Sequence, residues 1–173
     1  MKLDVLPDSC TDSAWYAQGL QFTCTQCGNC CTGGPGYVWL TEQEVERMAE
    51  FLKLTVEETM ANYCREIFGR ISLKEARNAR GEYDCEFLID IPVESTGKDN
   101  VVQTRRGCSI YPVRPLQCRT WPFWDGILEQ KENWDNATNR CHGMNRGRRY
   151  TREQIEALRD AKDWPVNPPT SAE

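Results

Sequence analysis

The segment Phe22 to Cys31 reads Phe-Thr-Cys-Thr-Gln-Cys-Gly-Asn-Cys-Cys and places Cys24, Cys27, Cys30 and Cys31 within eight positions. Two cysteines separated by two residues can turn their sulfurs toward one ion. The chain between them doubles back, and its backbone N–H groups face the sulfurs. Cys24 and Cys27 form one such pair, and Cys27 and Cys30 form a second that shares a member. In a tetrahedral thiolate site with bonds of about 2.3 Å, neighbouring sulfurs lie roughly 3.8 Å apart. Adjacent side chains diverge by ~100° on a helix and ~180° on a strand. Cys30 and Cys31 are therefore expected to serve different centres. The chemistry is thiolate ligation of metal, in more than one centre.

Cysteines return at Cys85, Cys108, Cys118 and Cys141. Pro115 is expected to open a short helical turn that aims the Leu116, Gln117 and Cys118 amides at anionic sulfur. Arg114 and Arg119 are permanent cations with several donors each. Beside thiolates they would offset negative charge and donate hydrogen bonds to sulfur. Tyr111, Trp121, Phe123 and Trp124 are expected to wall the site with apolar surface. His142 is the single histidine. As the neighbour of Cys141 it reads as a substitute ligand, a residue behind the ligands, or an exposed loop histidine. Cys10 lies outside the cluster and Cys64 falls on a helical apolar stripe, so both read as bystanders. A thioredoxin-like dithiol at Cys24 and Cys27 is disfavoured, because no strand precedes it and too many thiols accompany it.

The order Cys24-x-x-Cys27-Gly28-x-Cys30-Cys31, then Cys108-x-Ile110-Tyr111-x-x-Arg114-Pro115-x-x-Cys118-Arg119, then Pro122-Phe123, resembles the CxxCxxCC cysteine-cluster family. That family is described as a zinc- or iron-chelating domain. The resemblance runs from about Phe22 to Gly147 and implies eight ligands: Cys24, Cys27, Cys30, Cys31, Cys85, Cys108, Cys118 and Cys141. Where the family often has Cys-Pro-Gly, this chain has Cys141-His142-Gly143. A distant branch resembling the same cluster includes the flagellin lysine methylase, with an iron–sulfur cluster. It implies an enzymatic alternative, but no segment here is identifiable as a dock for a methyl donor or a peptide lysine, and no catalytic residue is assigned.

Eight thiolates divide into two four-sulfur centres. Zinc fits this with closed tetrahedral coordination, and iron–sulfur clusters also take four cysteines. The leading expectation is a metal-binding protein holding zinc or iron in two thiolate-rich centres. The alternative is an iron–sulfur enzyme of protein modification or electron transfer.

Elements must bring these scattered residues together. The capping boxes Thr41 to Glu44 and Thr55 to Glu58 start two helices. Val45, Met48, Phe51 and Leu52 lie on one inner face, and Met60, Tyr63, Cys64 and Ile67 on the other. Short extended runs are expected at Ile71 to Leu73, Cys85 to Ile89 and Val101 to Thr104, with a loop from Pro92 to Asn100. A last helix starts at Thr151 and stops before Trp164-Pro165. The fold class is α+β: a small irregular single domain with a helix pair, short strands and a C-terminal helix, stapled by metal. Residues 1–21 read as an arm, 22–164 as the metal-binding domain and 165–173 as a tail.

Composition narrows the function classes. The mean hydropathy of -0.67 is low for a chain that must bury a large core, so metals or cross-links are expected to hold it together. The net charge of -5 disfavours general nucleic-acid binding. Arg146, Arg148, Arg149 and Arg152 form a local basic edge that reads as solvated. No run approaches the ~18 apolar residues of a membrane span, and no secretory signal opens the chain. A reducing cytoplasm is the expected compartment, with metal ions as partners and no protein partner identifiable.

Overall fold

The computed structural model describes residues 14–93 and 103–162. Cys10, Val101 and the 165–173 tail lie outside the described residues. The elements run β1 (Leu20–Phe22), β2 (Thr32–Gly33), β3 (Trp39–Leu40), α1 (Glu42–Leu52), α2 (Val56–Tyr63), β4 (Cys64–Ile67), β5 (Arg70–Leu73) and β6 (Glu75–Arg77). They continue with β7 (Tyr83–Cys85), β8 (Leu88–Val93), β9 (Gln103–Cys108), α3 (Leu116–Thr120), α4 (Asp125–Leu128), α5 (Lys131–Thr138), β10 (Met144–Tyr150) and α6 (Arg152–Asp160). The described residues form a small α+β fold with four short antiparallel sheets, ordered β1-β10, β2-β7-β6, β3-β5-β4 and β8-β9.

Both expected capping boxes are present, Thr41 with Glu44 and Thr55 with Glu58. α1 buries Val45, Met48 and Ala49 and ends at Lys53, which turns left-handed at φ +57°. α2 stops four residues earlier than its apolar spacing suggests. Cys64 to Ile67 form β4 instead, paired with β5 in the register Cys64↔Leu73 to Ile67↔Arg70. The two residues between these strands, Phe68 and Gly69, both have positive φ, +50° and +71°. Such a turn matches the twist of an antiparallel hairpin, and its pairing overrides the helical period. Cys64 still packs in the core, and burial pushes its thiol up to about 11.

The expected run from Cys85 to Ile89 is two strands, β7 and β8, broken at Glu86 and Phe87. Pro92 and Val93 are strand rather than loop, because β8 extends against β9 as far as Val93↔Gln103. α6 starts with its own box at Thr151 and Gln154, buries Ile155 and ends at Asp160.

Strand pairing carries the cysteines to one place. The β2–β7 register sets Thr32 opposite Asp84, so Cys31 and Cys85 flank a paired position. Leu88 opposes Cys108 in the β8–β9 hairpin, and the Ser109 N–H donates to the Phe87 carbonyl at 2.9 Å. Phe22 opposes Met144 in β1–β10, and Thr23 donates to the Gly143 carbonyl at 3.1 Å, which sets Cys24 near Cys141. Two apolar clusters flank the cysteines. Tyr16, Phe22, Phe123, Trp134, Met144 and Ile155 anchor one, with Cys24 and Cys141 against it. Leu40, Val45, Met48, Leu73, Phe87 and Ile110 anchor the other, with Cys85 and Cys108 against it.

The β1–β10 ribbon has an irregularity between Gln21 and Phe22. Gly147 sits there at φ +75°, and a Cβ on it would meet the Thr23 Oγ1 at 2.1 Å. Gly147→Ala is therefore expected to cost about 1–3 kcal/mol. Urea unfolding checks this, and an unchanged midpoint would contradict the close approach.

Candidate metal centre

All eight expected ligands, Cys24, Cys27, Cys30, Cys31, Cys85, Cys108, Cys118 and Cys141, line one small cavity of about 50 Å³. The left-handed turn at Gly28, φ +69°, leads into a 3-10 turn over Asn29–Cys31. This turn brings the Cys30 and Cys31 sulfurs to 3.8 Å. That is the edge length of a tetrahedral thiolate site, so the two neighbours do not diverge as a regular helix or strand would require. Among the described residues, no three Cys, His, Asp or Glu side chains already close around a single point as a metal would demand. The fit rests on convergence of the donor set and on what surrounds it.

Hydrogen-bond donors meet the sulfurs from several directions. The Gln26 N–H points at the Cys24 Sγ at 3.4 Å. The backbone N–H of Phe87 serves Cys85 in the same i+2 relation, and that of Ile110 serves Cys108. At Cys85 and Cys108 these bonds favour the thiolate, the ligating form. The Trp121 Nε1 donates to the Cys141 Sγ at 3.4 Å. The Arg114 Nη1 reaches the Cys24 Sγ at 3.8 Å, and its guanidinium lies 3.6 Å from the centre of the Tyr111 ring. The Arg114 Nε is buried with no hydrogen-bond partner. A buried unpaired donor is costly, and beside this cavity it suits a site that carries negative charge.

The thiols respond to one another. Cys31 is pushed far up by its hydrogen-bond contacts with Cys108 and Cys30 and by burial. Cys30 is lowered to about 7, chiefly by the Cys31 bond and further by its own backbone N–H and by Arg114 and Arg140. Cys108 is likewise lowered to about 7, first by Cys31, then by the Ile110 N–H and Arg114. Burial raises Cys85 to about 12 and pushes Cys118 well up, with neighbouring thiols adding to both. Cys64 feels Lys74 and no other thiol, which marks it as a bystander.

The remaining expected residues divide. Arg114 and Tyr111 line the cavity. Arg119 does not: its guanidinium lies 3.9 Å from the Glu44 carboxylate. The α3 amides do not all aim at sulfur either, since the Leu116 N–H donates to the Glu44 Oε1 at 2.6 Å. Buried Glu44 takes the place there that the sequence reading gave to a thiolate. His142 is exposed and lines a shallow basic concavity with Arg105, Arg106 and Arg146. Trp121 walls the cavity as expected, whereas Phe123 packs against Phe22 and Trp134.

Sequence reasoning missed the Asn29 and Arg140 clasp. The Asn29 Nδ2 donates to the Arg140 carbonyl at 2.8 Å, and the Arg140 Nη2 donates to the carbonyls of Asn29 and Thr32. The one available signal was the adjacency of Arg140 to Cys141.

A cysteine-lined cavity between two small apolar cores defines a metal-chelating α+β domain. The chain belongs to the CxxCxxCC family, described as a "putative zinc- or iron-chelating domain", whose model matches residues 23–142. It is similar to the uncharacterized protein MJ0661 of Methanocaldococcus jannaschii, at 29% identity over 108 residues, or 62% of this chain and 48% of that protein. The chain thus spans about half the length of this curated relative. No solved structure matches it. No helix among the described residues is long and apolar enough to cross a membrane.

Proposed function

We propose that this chain holds zinc or iron through Cys24, Cys27, Cys30, Cys31, Cys85, Cys108, Cys118 and Cys141, as two four-sulfur centres within one cavity. The convergence of all eight thiols on a single small cavity, from segments spread between positions 24 and 141, carries the reading. Arg114, Tyr111 and Trp121 would hold the thiolates in place and offset their charge. The metal would supply cross-linking between the two apolar clusters, and with closed four-sulfur coordination it offers no open position for Lewis-acid chemistry.

An iron–sulfur centre is the second form of the reading, favoured by the N–H and guanidinium donors around the sulfurs. Elemental analysis with absorption spectroscopy of anaerobically purified protein separates the two. About two zinc per chain without a charge-transfer band near 400 nm is the zinc outcome, and iron with such a band is the cluster outcome. A chain with neither metal refutes both. Cys27→Ser is expected to lower metal content and solubility together, and unchanged stoichiometry and melting would defeat its assignment as a ligand.

A further inference from the structure

The eight thiols differ in how they can be reached. A wider cleft of about 240 Å³ adjoins the cysteine cavity. Cys30, Cys31, Cys85 and Cys141 line both spaces, whereas Cys24, Cys27, Cys108 and Cys118 line the cavity and not the cleft. Of the nine described cysteines, Cys30 alone is exposed. The metal-binding sulfurs therefore present one accessible side.

Aromatic side chains, Tyr37, Tyr83, Trp121 and Trp124, form much of the cleft wall. Two further charged groups stand on the wall, each with a partner, and the charge of Glu75 is felt at Cys85. The Lys74 Nζ donates to the Ala61 carbonyl, and Glu75 accepts from Arg65 and from the Gly36 N–H. Arg140 is exposed and lies over Gly33, with its charge felt at the Cys30 sulfur. Its Nη2 serves backbone carbonyls, but a guanidinium carries five N–H donors. The cleft thus offers aromatic walls, the Arg140 cation besides the paired Lys74 and Glu75, and the exposed residue Cys30.

Resting on the metal reading above, we infer that this cleft is the exchange port of the centre, admitting a small thiol-carboxylate that takes up or delivers a metal ion at Cys30. The carboxylate faces Arg140 and the thiol meets the metal. In the first exchange the incoming thiol gives up its proton as its metal–sulfur bond forms, the metal–Cys30 bond breaks, and the Cys30 thiolate takes up a proton. The metal leaves once incoming ligands have replaced the other three sulfurs of its centre by the same balanced exchange. No electron changes hands, and delivery is the same exchange reversed.

The test uses the full chain loaded with zinc and mercaptoacetate as the probe, with released zinc read by a chromophoric indicator. Gly34 lines the cleft, and no atom lies within 4 Å of the place its Cβ would take. Gly34→Trp should therefore plug the port without displacing the fold. Mercaptoacetate-driven release should fall roughly tenfold or more, with zinc content and melting unchanged, while Gly34→Ala keeps the parent rate. The unsubstituted chain supplies a second readout: mercaptoacetate should release zinc faster than neutral 2-mercaptoethanol at equal thiolate concentration. An unchanged rate in the zinc-loaded Gly34→Trp chain, or no preference for the anion, overturns the port and leaves metal binding standing. A parent chain that takes up no metal overturns both.

Discussion

Stripping the metal with a strong chelator at neutral pH is expected to lower the melting temperature by more than about 10 °C. Structural zinc in small domains contributes on the order of 10 kcal/mol, comparable to the whole stability of an ordinary domain. Here the metal would sit between two separate apolar clusters. Without it, the seam is left to thiols that burden one another. Cys31 holds its proton while Cys30 and Cys108, both lowered to about 7 from 9.0, carry partial charge at neutral pH.

The pH dependence of the stripped chain has a definite sign. The stabilising contribution of the lowered Cys30 and Cys108 is present above 9.0 and is lost as pH falls through about 7. Cys64 and Cys85 are raised, to about 11 and about 12, so their contribution is complete below 9.0 and is lost as pH rises through those values. Melting measured from pH 6 to pH 12, with and without metal, checks both sides. Equal melting of loaded and stripped chains would show that the fold does not depend on metal.

Glu44→Ala should be the most damaging change outside the cysteines, at about 3–5 kcal/mol. Glu44 is 4% exposed. It accepts from the Thr41 N–H at 3.1 Å and the Leu116 N–H at 2.6 Å, and Arg47 and Arg119 lie within 4 Å. Truncation leaves two backbone donors without their acceptor and loosens the first turn of α3, two residues before Cys118. Glu44→Gln keeps one oxygen acceptor and should cost clearly less. Chemical denaturation separates the two, and metal content of the Ala variant should fall with stability. Identical losses for Ala and Gln would mean that the negative charge facing Arg47 and Arg119, rather than packing or a single acceptor oxygen, is what Glu44 supplies.

The helix starts and the cysteines were legible in the sequence, because capping boxes and Cys-x-x-Cys spacing are local signals. Non-local partners were not. Thr41-x-x-Glu44 announces a helix start, yet nothing in it shows that the second carboxylate oxygen reaches Leu116. Met144 to Tyr150 contains three arginines and is largely exposed, so it reads as a solvated edge. Its pairing with Leu20–Phe22 becomes visible only once both segments are in place. β4 shows the opposite failure. Its residues carry a helical period, but the Phe68-Gly69 turn makes hairpin pairing possible, and pairing wins. In the site, the i+2 N–H bonds at Cys85 and Cys108 repeat the geometry at Cys24 without any second cysteine nearby to advertise it.

The β1–β10 ribbon joins Phe22 to Met144 and so encloses segment 23–143 in one loop. The entropy of closing a loop grows only slowly with its length, about 0.6 kcal/mol for each doubling. Once the ribbon forms, Cys24 and Cys141 are neighbours, and the pairs Thr32↔Asp84 and Leu88↔Cys108 close smaller loops inside it. Backbone pairing thus draws the segments that carry Cys24, Cys31, Cys85, Cys108 and Cys141 together, and any metal that cross-links them closes loops that the strands have already shortened.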